Sequence, residues 1–254
     1  MQKIRLLMLA LACLVARPVS ALTVNSVITN GLAEPFSVAA DTNDFYFITD
    51  TANHRILKYS PLSGVLTNLA GLIRNPGTSD GTNYFARFNA PKGIIRAGNF
   101  LVVADTGNHL IRKVTPEGVV TRLAGSARGY SDGPAATARF NTPIGLAADA
   151  AGNLFIADTK NNAIRRLDTL GNVGTVSAGF SEPVGVAVSD DGRRIFVADT
   201  LAHSIKRITT DWTTFTNVTL IAGSAAGISG ANDSIFGVGN RSRGRRNVAE
   251  KNLY

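Results

Sequence analysis

Short apolar runs and turn residues alternate along this chain in an order that repeats. A first apolar run follows a proline, as "PFSVAA" from Pro35, "PKGIIR" from Pro91, "PIGLAA" from Pro143 and "PVGVAV" from Pro183. A polar or glycine turn comes next, at Thr42-Asn43-Asp44, Ala97-Gly98-Asn99, Ala151-Gly152-Asn153 and Asp190-Asp191-Gly192. A second apolar run then enters an Asp-Thr pair, and a third begins at Ile56, Ile111, Ile164 and Ile205. A fourth run ends in Ala-Gly, at Ala70-Gly71, Ala124-Gly125, Ala178-Gly179 and Ala222-Gly223. Apolar runs bounded by such residues read as β-strands joined by tight turns, and four in succession predict one antiparallel sheet.

The second and third runs, with the turn between them, share a signature: "ITDTANHRILKY" from Ile48, "VADTGNHLIRKV" from Val103, "IADTKNNAIRRL" from Ile156 and "VADTLAHSIKRI" from Val197. Its aspartates, Asp50, Asp105, Asp158 and Asp199, recur near the roughly 40-residue period of a propeller blade once two intervals carry insertions. One such sheet cannot bury both faces by itself, so the sheets must stack side by side around an axis. The expected fold is all-β, a β-propeller with four recognisable four-stranded blades. These are residues 32–72, 91–125, 143–179 and 180–223, with inserted loops at 73–90 and 126–142.

These residues resemble the NHL repeat family, named for the tripeptide that stands here as Asn108-His109-Leu110. The resemblance covers residues 35–223 and implies a propeller, commonly of about six blades. It also implies candidate activities. Some NHL propellers bind RNA on a basic face, and the similar propellers of peptidyl-hydroxyglycine lyases hold zinc through histidines at the central channel. Two units depart from the name, with Asn162 in place of histidine and Ala202 in place of asparagine. A position at which the chain itself substitutes is a poor place for an indispensable chemical group.

The motif therefore reads as structural. Asp50, Asn53, Asp105, Asn108, Asp158, Asn161 and Asp199 are expected to bond to local backbone between the second and third strands. His54, His109 and His203 are expected to pack against neighbouring blades. Each insertion holds Ser-Asp-Gly followed by Ala-Arg-Phe-Asn. One reading makes this a turn whose phenylalanine plugs the gap between blades and whose arginine bonds to backbone. The other places Asp80, Arg87, Asp132 and Arg139, together with the three histidines, on a binding face built from loops.

Gly-x-Ser-x-Gly, at Gly77 to Gly81 and Gly129 to Gly133, matches a serine-hydrolase elbow. Pro76 and the polar residues Ser126 to Arg128 stand where a core strand should enter, so no catalytic residue is assigned. The basic pairs Arg112-Lys113, Arg165-Arg166 and Lys206-Arg207 send adjacent side chains to opposite sides of the sheet, so half of them cannot join any one patch. Glu34 and Glu182 are acids that a divalent-metal site could draw on, yet each sits beside a proline where a turn role suffices. No cofactor or metal is expected.

The chain's ends bear on location and completeness. Lys3 and Arg5, an apolar run from Leu6 to Ala16 and small residues at Val19-Ser20-Ala21 read as a secretory signal, residues 1–21. That run is shorter than the roughly 20 residues of a spanning helix, so the expected location is secreted, periplasmic or cell-surface, with no membrane span. Cys13, the only cysteine, lies inside the signal, and the mature chain has no disulfide.

The formal net charge is +8. Lys3, Arg5 and Arg17 leave with the signal, and Arg241, Arg243, Arg245, Arg246 and Lys251 cluster in the tail, so the body is near neutral. Nucleic acid is not an expected partner. Residues 22–31 read as the orphan outer strand of a closing blade, and 224–254 as an incomplete repeat with a basic tail. The reading frame is expected to be truncated or shifted near Gly237, leaving an open blade edge that invites self-association. The functional expectation is a non-catalytic secreted scaffold that binds a protein or carbohydrate partner through loops on one face. The alternative is a lactonase- or lyase-like enzyme with a divalent metal in the central channel.

Overall fold

The computed structural model describes residues 31–212 and 216–223. The expectations for 1–21, for 224–254 and for all but the last residue of 22–31 lie outside those residues. Four antiparallel sheets succeed one another along the chain. The first holds β1 (Pro35–Ala40), β2 (Tyr46–Asp50), β3 (Arg55–Ser60) and β4 (Val65–Ala70), in that spatial order. The second holds β5 (Gly81–Thr82), β6 (Ile94–Ala97), β7 (Phe100–Asp105), β8 (Leu110–Val114) and β9 (Val119–Ala124). The third holds β10 (Gly133–Pro134), β11 (Pro143–Ala148), β12 (Leu154–Asp158), β13 (Ala163–Leu167) and β14 (Asn172–Ala178). The fourth holds β15 (Pro183–Val188), β16 (Arg194–Asp199), β17 (Ser204–Thr210) and β18 (Thr216–Gly223).

The insertions differ from the plain loops that the sequence suggests. Each supplies a fifth strand to the blade after it: β5 pairs with β9, and β10 with β14, on the outer edge. At two residues each, these strands are too short to leave a periodic signal.

Prolines open β1, β11 and β15, where the missing N–H falls at a strand's first residue and costs no ladder bond. The hairpin turns use Gly98 and Gly152 at positive φ, 61° and 91°, which glycine reaches without a Cβ penalty. Successive blades pack through their inner strands, β1 on β6, β6 on β11 and β11 on β15. Each junction has its own apolar core. Phe47 and Ile56 of the first blade meet Ile94 and Val103 of the second. Val102 and Ile111 meet Leu146 and Ile156 of the third, and Phe155 and Ile164 meet Val197 and Ile208 of the fourth. Phe88, Phe140 and Phe180 are buried members of these three cores.

The inner strands approach so closely that a side chain at two positions has no room. A Cβ on Gly93 would stand 2.0 Å from the carbonyl oxygen of Ile144, and one on Gly145 would stand 2.2 Å from that of Val184. The first blade has Ser37 at this position and compensates with Thr49 where later blades carry alanine. The Thr49 hydroxyl donates to the carbonyl of Lys92 at 2.7 Å and accepts the Ser37 N–H at 2.9 Å. A polar clip there replaces close backbone contact.

Candidate functional site

The repeated motif forms a 3-10 turn in each blade, at Thr51–Asn53, Thr106–Asn108, Thr159–Asn161 and Thr200–Ala202. Each turn ends in a left-handed residue: His54, His109, Asn162 and His203, with φ of 58°, 58°, 54° and 48°. Asparagine and histidine are among the non-glycine residues enriched in that conformation, so the first requirement at this position is on the backbone.

The motif side chains divide into two groups. Within a blade, one oxygen of each aspartate accepts the backbone N–H of the residue two before the inner-strand proline. Ala33, Asn89 and Asn141 donate to Asp50, Asp105 and Asp158 at 2.7 Å, and Ser181 to Asp199 at 2.5 Å. The other oxygen accepts the amide of Asn53, Asn108 or Asn161 in the first three blades. Between blades, the hydroxyls of Thr51, Thr106 and Thr159 donate to the carbonyls of Pro91, Pro143 and Pro183 at 2.7 to 2.8 Å. Nδ1 of His54 accepts the N–H of Ala90, and Nδ1 of His109 that of Thr142, both at 3.0 Å. In the third blade Oδ1 of Asn162 accepts the N–H of Glu182 at 2.9 Å. The amide takes over the imidazole's task because the task is only to accept one hydrogen bond.

Two buried arginines organise the insertions. Arg112 is fully buried, and its NH1 donates to Asp105 at 2.9 Å and to the Arg87 carbonyl at 3.1 Å. Its NH2 donates to Asp80 at 2.7 Å and to the Ser79 carbonyl at 3.0 Å. Arg165 repeats the set with Asp158, the Arg139 carbonyl, Asp132 and the Ser131 carbonyl. Asp80 and Asp132 also accept the N–H groups of Arg122 and Thr175 on the outer strands. Each insertion is thus tied to the blade after it. The sequence shows these arginines only as members of basic pairs, and the structure puts them in the core.

Some of the remaining candidates have equally local partners. Arg87 donates to the carbonyls of Tyr84 and Ala86. The stems of Arg87 and Arg139 lie over Gly77 and Gly129. The Ser131 hydroxyl donates to the Asp132 carbonyl at 3.2 Å, so the Gly-x-Ser-x-Gly turn presents carbonyls to an arginine rather than a nucleophile to a base. Glu34 and Glu182 sit at φ 50° and 49°, ahead of their prolines. His203 borders a cleft with Thr200, Ile205 and Ala222. Among the described residues no three His, Cys, Asp or Glu side chains converge in a metal-binding group, and no helix is long and apolar enough to cross a membrane.

Burial pushes the Asp105 carboxyl up to about 6, against the Asn89 N–H, the Asn108 amide and Arg112, which all pull it down. Asp158 is raised for the same reason. A carboxyl with a higher pKa folded than unfolded holds its proton more tightly when folded. Its contribution is therefore fully present below the unfolded value near 4 and is lost as pH rises through about 6. Thermal melts from pH 4 to 7 should show the wild type losing stability relative to Asp105→Asn across that window. The exposed Glu117, Asp168 and Asp191 are lowered by local hydrogen bonds and act in a separate window, losing their contribution only in stronger acid.

Antiparallel blades of four or five strands packed in series through their inner strands define a β-propeller. Residues 140–167, in the third blade, match the NHL repeat family, in agreement with the motif that recurs in the other three blades. NHL repeat-containing protein 2 of Gallus gallus is 29% identical over 173 residues, 56% of this chain and 24% of that protein. The chain therefore spans about a quarter of that relative's length. Among solved structures, virginiamycin B lyase from Staphylococcus aureus superposes with a TM-score of 0.54 at 18% identity, over 75% of this chain and 57% of that one. A gluconolactonase from Xanthomonas campestris gives a TM-score of 0.58 at 16% identity, over 75% and 63%. Likeness at these identities is likeness of fold.

Proposed function

We propose that this protein is a non-catalytic binding propeller, exported from the cell, that engages a protein or carbohydrate partner through loops at the motif end of its blades. One observation carries the reading: the buried carboxylates of the motif and two of its three imidazoles are spent on the protein itself. The Asp105 and Asp158 carboxylates are fully buried against arginine, and the acceptor nitrogens of His54 and His109 are filled by backbone. Among the residues that the insertions leave outside are three aromatic rings, with Tyr84 59%, Phe85 78% and Tyr130 54% exposed. Aromatic rings on a short, hydrogen-bonded turn offer rigid contact area at little entropic cost. Export rests on the residue pattern at 1–21, and fractionation of the producing cell checks it.

Calcium and zinc salts titrated into the protein should leave its melting temperature unchanged, and gluconolactone should open no faster than in buffer. On a glycan or surface-protein array, binding should fall at least tenfold in Phe85→Ser. A metal-dependent rise in melting temperature together with lactone turnover would replace this reading with an enzymatic one.

A further inference from the structure

The outer strand of the fourth blade lacks the cover that the two blades before it have. In the second and third blades the outer edge is extended by β5 and β10, and both come from the insertion that precedes the blade. The fourth blade is preceded only by the short connection at residues 179–182, which has no insertion to give. Among the described residues β18 accordingly has β17 on one side and no strand on the other. It is also the longest strand described, eight residues reading TNVTLIAG, without a charge or a proline. Val218, Leu220 and Ile221 are 41%, 37% and 37% exposed.

Among the described residues this edge presents unpaired N–H and C=O groups with no charge, proline or covering strand to guard them. Its one irregularity, the register shift at Ile221, recurs at Leu123 of β9 and Val176 of β14, and both of those strands accept a further strand. We propose that β18 is a strand-addition site and that its occupant is β18 of a second copy of this chain, paired antiparallel about a two-fold axis. The chain already adds an antiparallel strand at this place twice, in β5–β9 and β10–β14. A second β18 brings the same uncharged side chains, so cross-strand pairing meets no like-charge repulsion. By contrast β9 carries Arg122 and is capped, and the last residues of β4 are buried, with the Gly71 N–H beyond them donating to the Asn83 carbonyl. A two-fold contact of one strand pair is small, so the association should be weak and concentration-dependent.

Sedimentation of the full chain over a hundredfold concentration range tests this, with amide exchange read in parallel. Wild-type protein should pass from monomer to dimer, and amides of β18 should gain protection as it does. Leu220→Lys should remain monomeric, as should Asn217→Lys, which changes an exposed polar side chain and keeps the test decisive if the first variant folds poorly. Mixing Leu220→Lys with Leu220→Glu should restore a mixed dimer, an outcome that an edge made for an unrelated peptide would not give. A monomer at every concentration, a dimer indifferent to both lysine substitutions, or a dimer without protection of β18 would each overturn the proposal.

Discussion

Replacing Arg112 with methionine should lower the unfolding free energy by about 3–5 kcal/mol, the usual cost of removing one partner from a buried ion pair, or on the order of 10 °C in melting temperature. The side chain is fully buried and donates to two carboxylates and two carbonyls. Methionine fills much of the volume and meets none of those acceptors. Asp105, with no exposure of its own, is then left as a buried carboxylate with only Asn89 and Asn108 to satisfy it. Protonation relieves that state, so the loss should be smaller at pH 5 than at pH 8. Asp80→Asn should cost far less, because the Asp80 side chain is half exposed and water can replace part of its pairing. Chemical denaturation of the three proteins at both pH values checks the order.

Gly145→Ala is the second large effect, at about 3 kcal/mol or more, the upper range for overfilling a packed interior. The atom in the way is the Val184 carbonyl oxygen, 2.2 Å from the new Cβ. It belongs to the inner strand of the next blade and cannot rotate aside as a side chain would. The two blades must separate, which opens the apolar core between them. Gly185→Ala is the control. Its Cβ would meet only the Ala198 methyl, at 3.2 Å, and should cost less than about 1 kcal/mol. If both alanines cost the same, close approach of inner strands is not what this glycine serves.

The blades themselves are legible in the chain because each strand's boundaries are marked by residues with a physical reason to be there: a proline at the inner strand's start, glycine or asparagine in the hairpins, Asp-Thr at the motif turn. The phenylalanine plugs are legible too, as an aromatic three residues before Pro91, Pro143 and Pro183. The fifth strands are hidden, since a Gly-Thr or Gly-Pro pair has no period to detect. Burial of Arg112 and Arg165 is hidden because an adjacent basic pair looks like a solvated face.

One signal in the sequence does mark those arginines. They stand only in the two blades preceded by an insertion with Ser-Asp-Gly. In the same strand position the first blade has Leu57, and Arg55 reaches Asp50 from two residues earlier at 2.7 Å. The fourth blade, with no insertion before it, has Lys206 on Asp199 at 2.5 Å. A fork that serves two carboxylates is kept where two carboxylates exist, and a point charge suffices where there is one.

The measurement that bears most directly on the motif's role is a comparison of His109→Asn with His109→Ala by thermal melting. In the third blade Asn162 already does the same work, so asparagine should hold the Thr142 N–H and leave stability nearly unchanged. Alanine should lose that bond and about 1 kcal/mol with it. If asparagine proves as damaging as alanine, the imidazole is needed for more than holding the next blade, and the structural account of the motif is wrong.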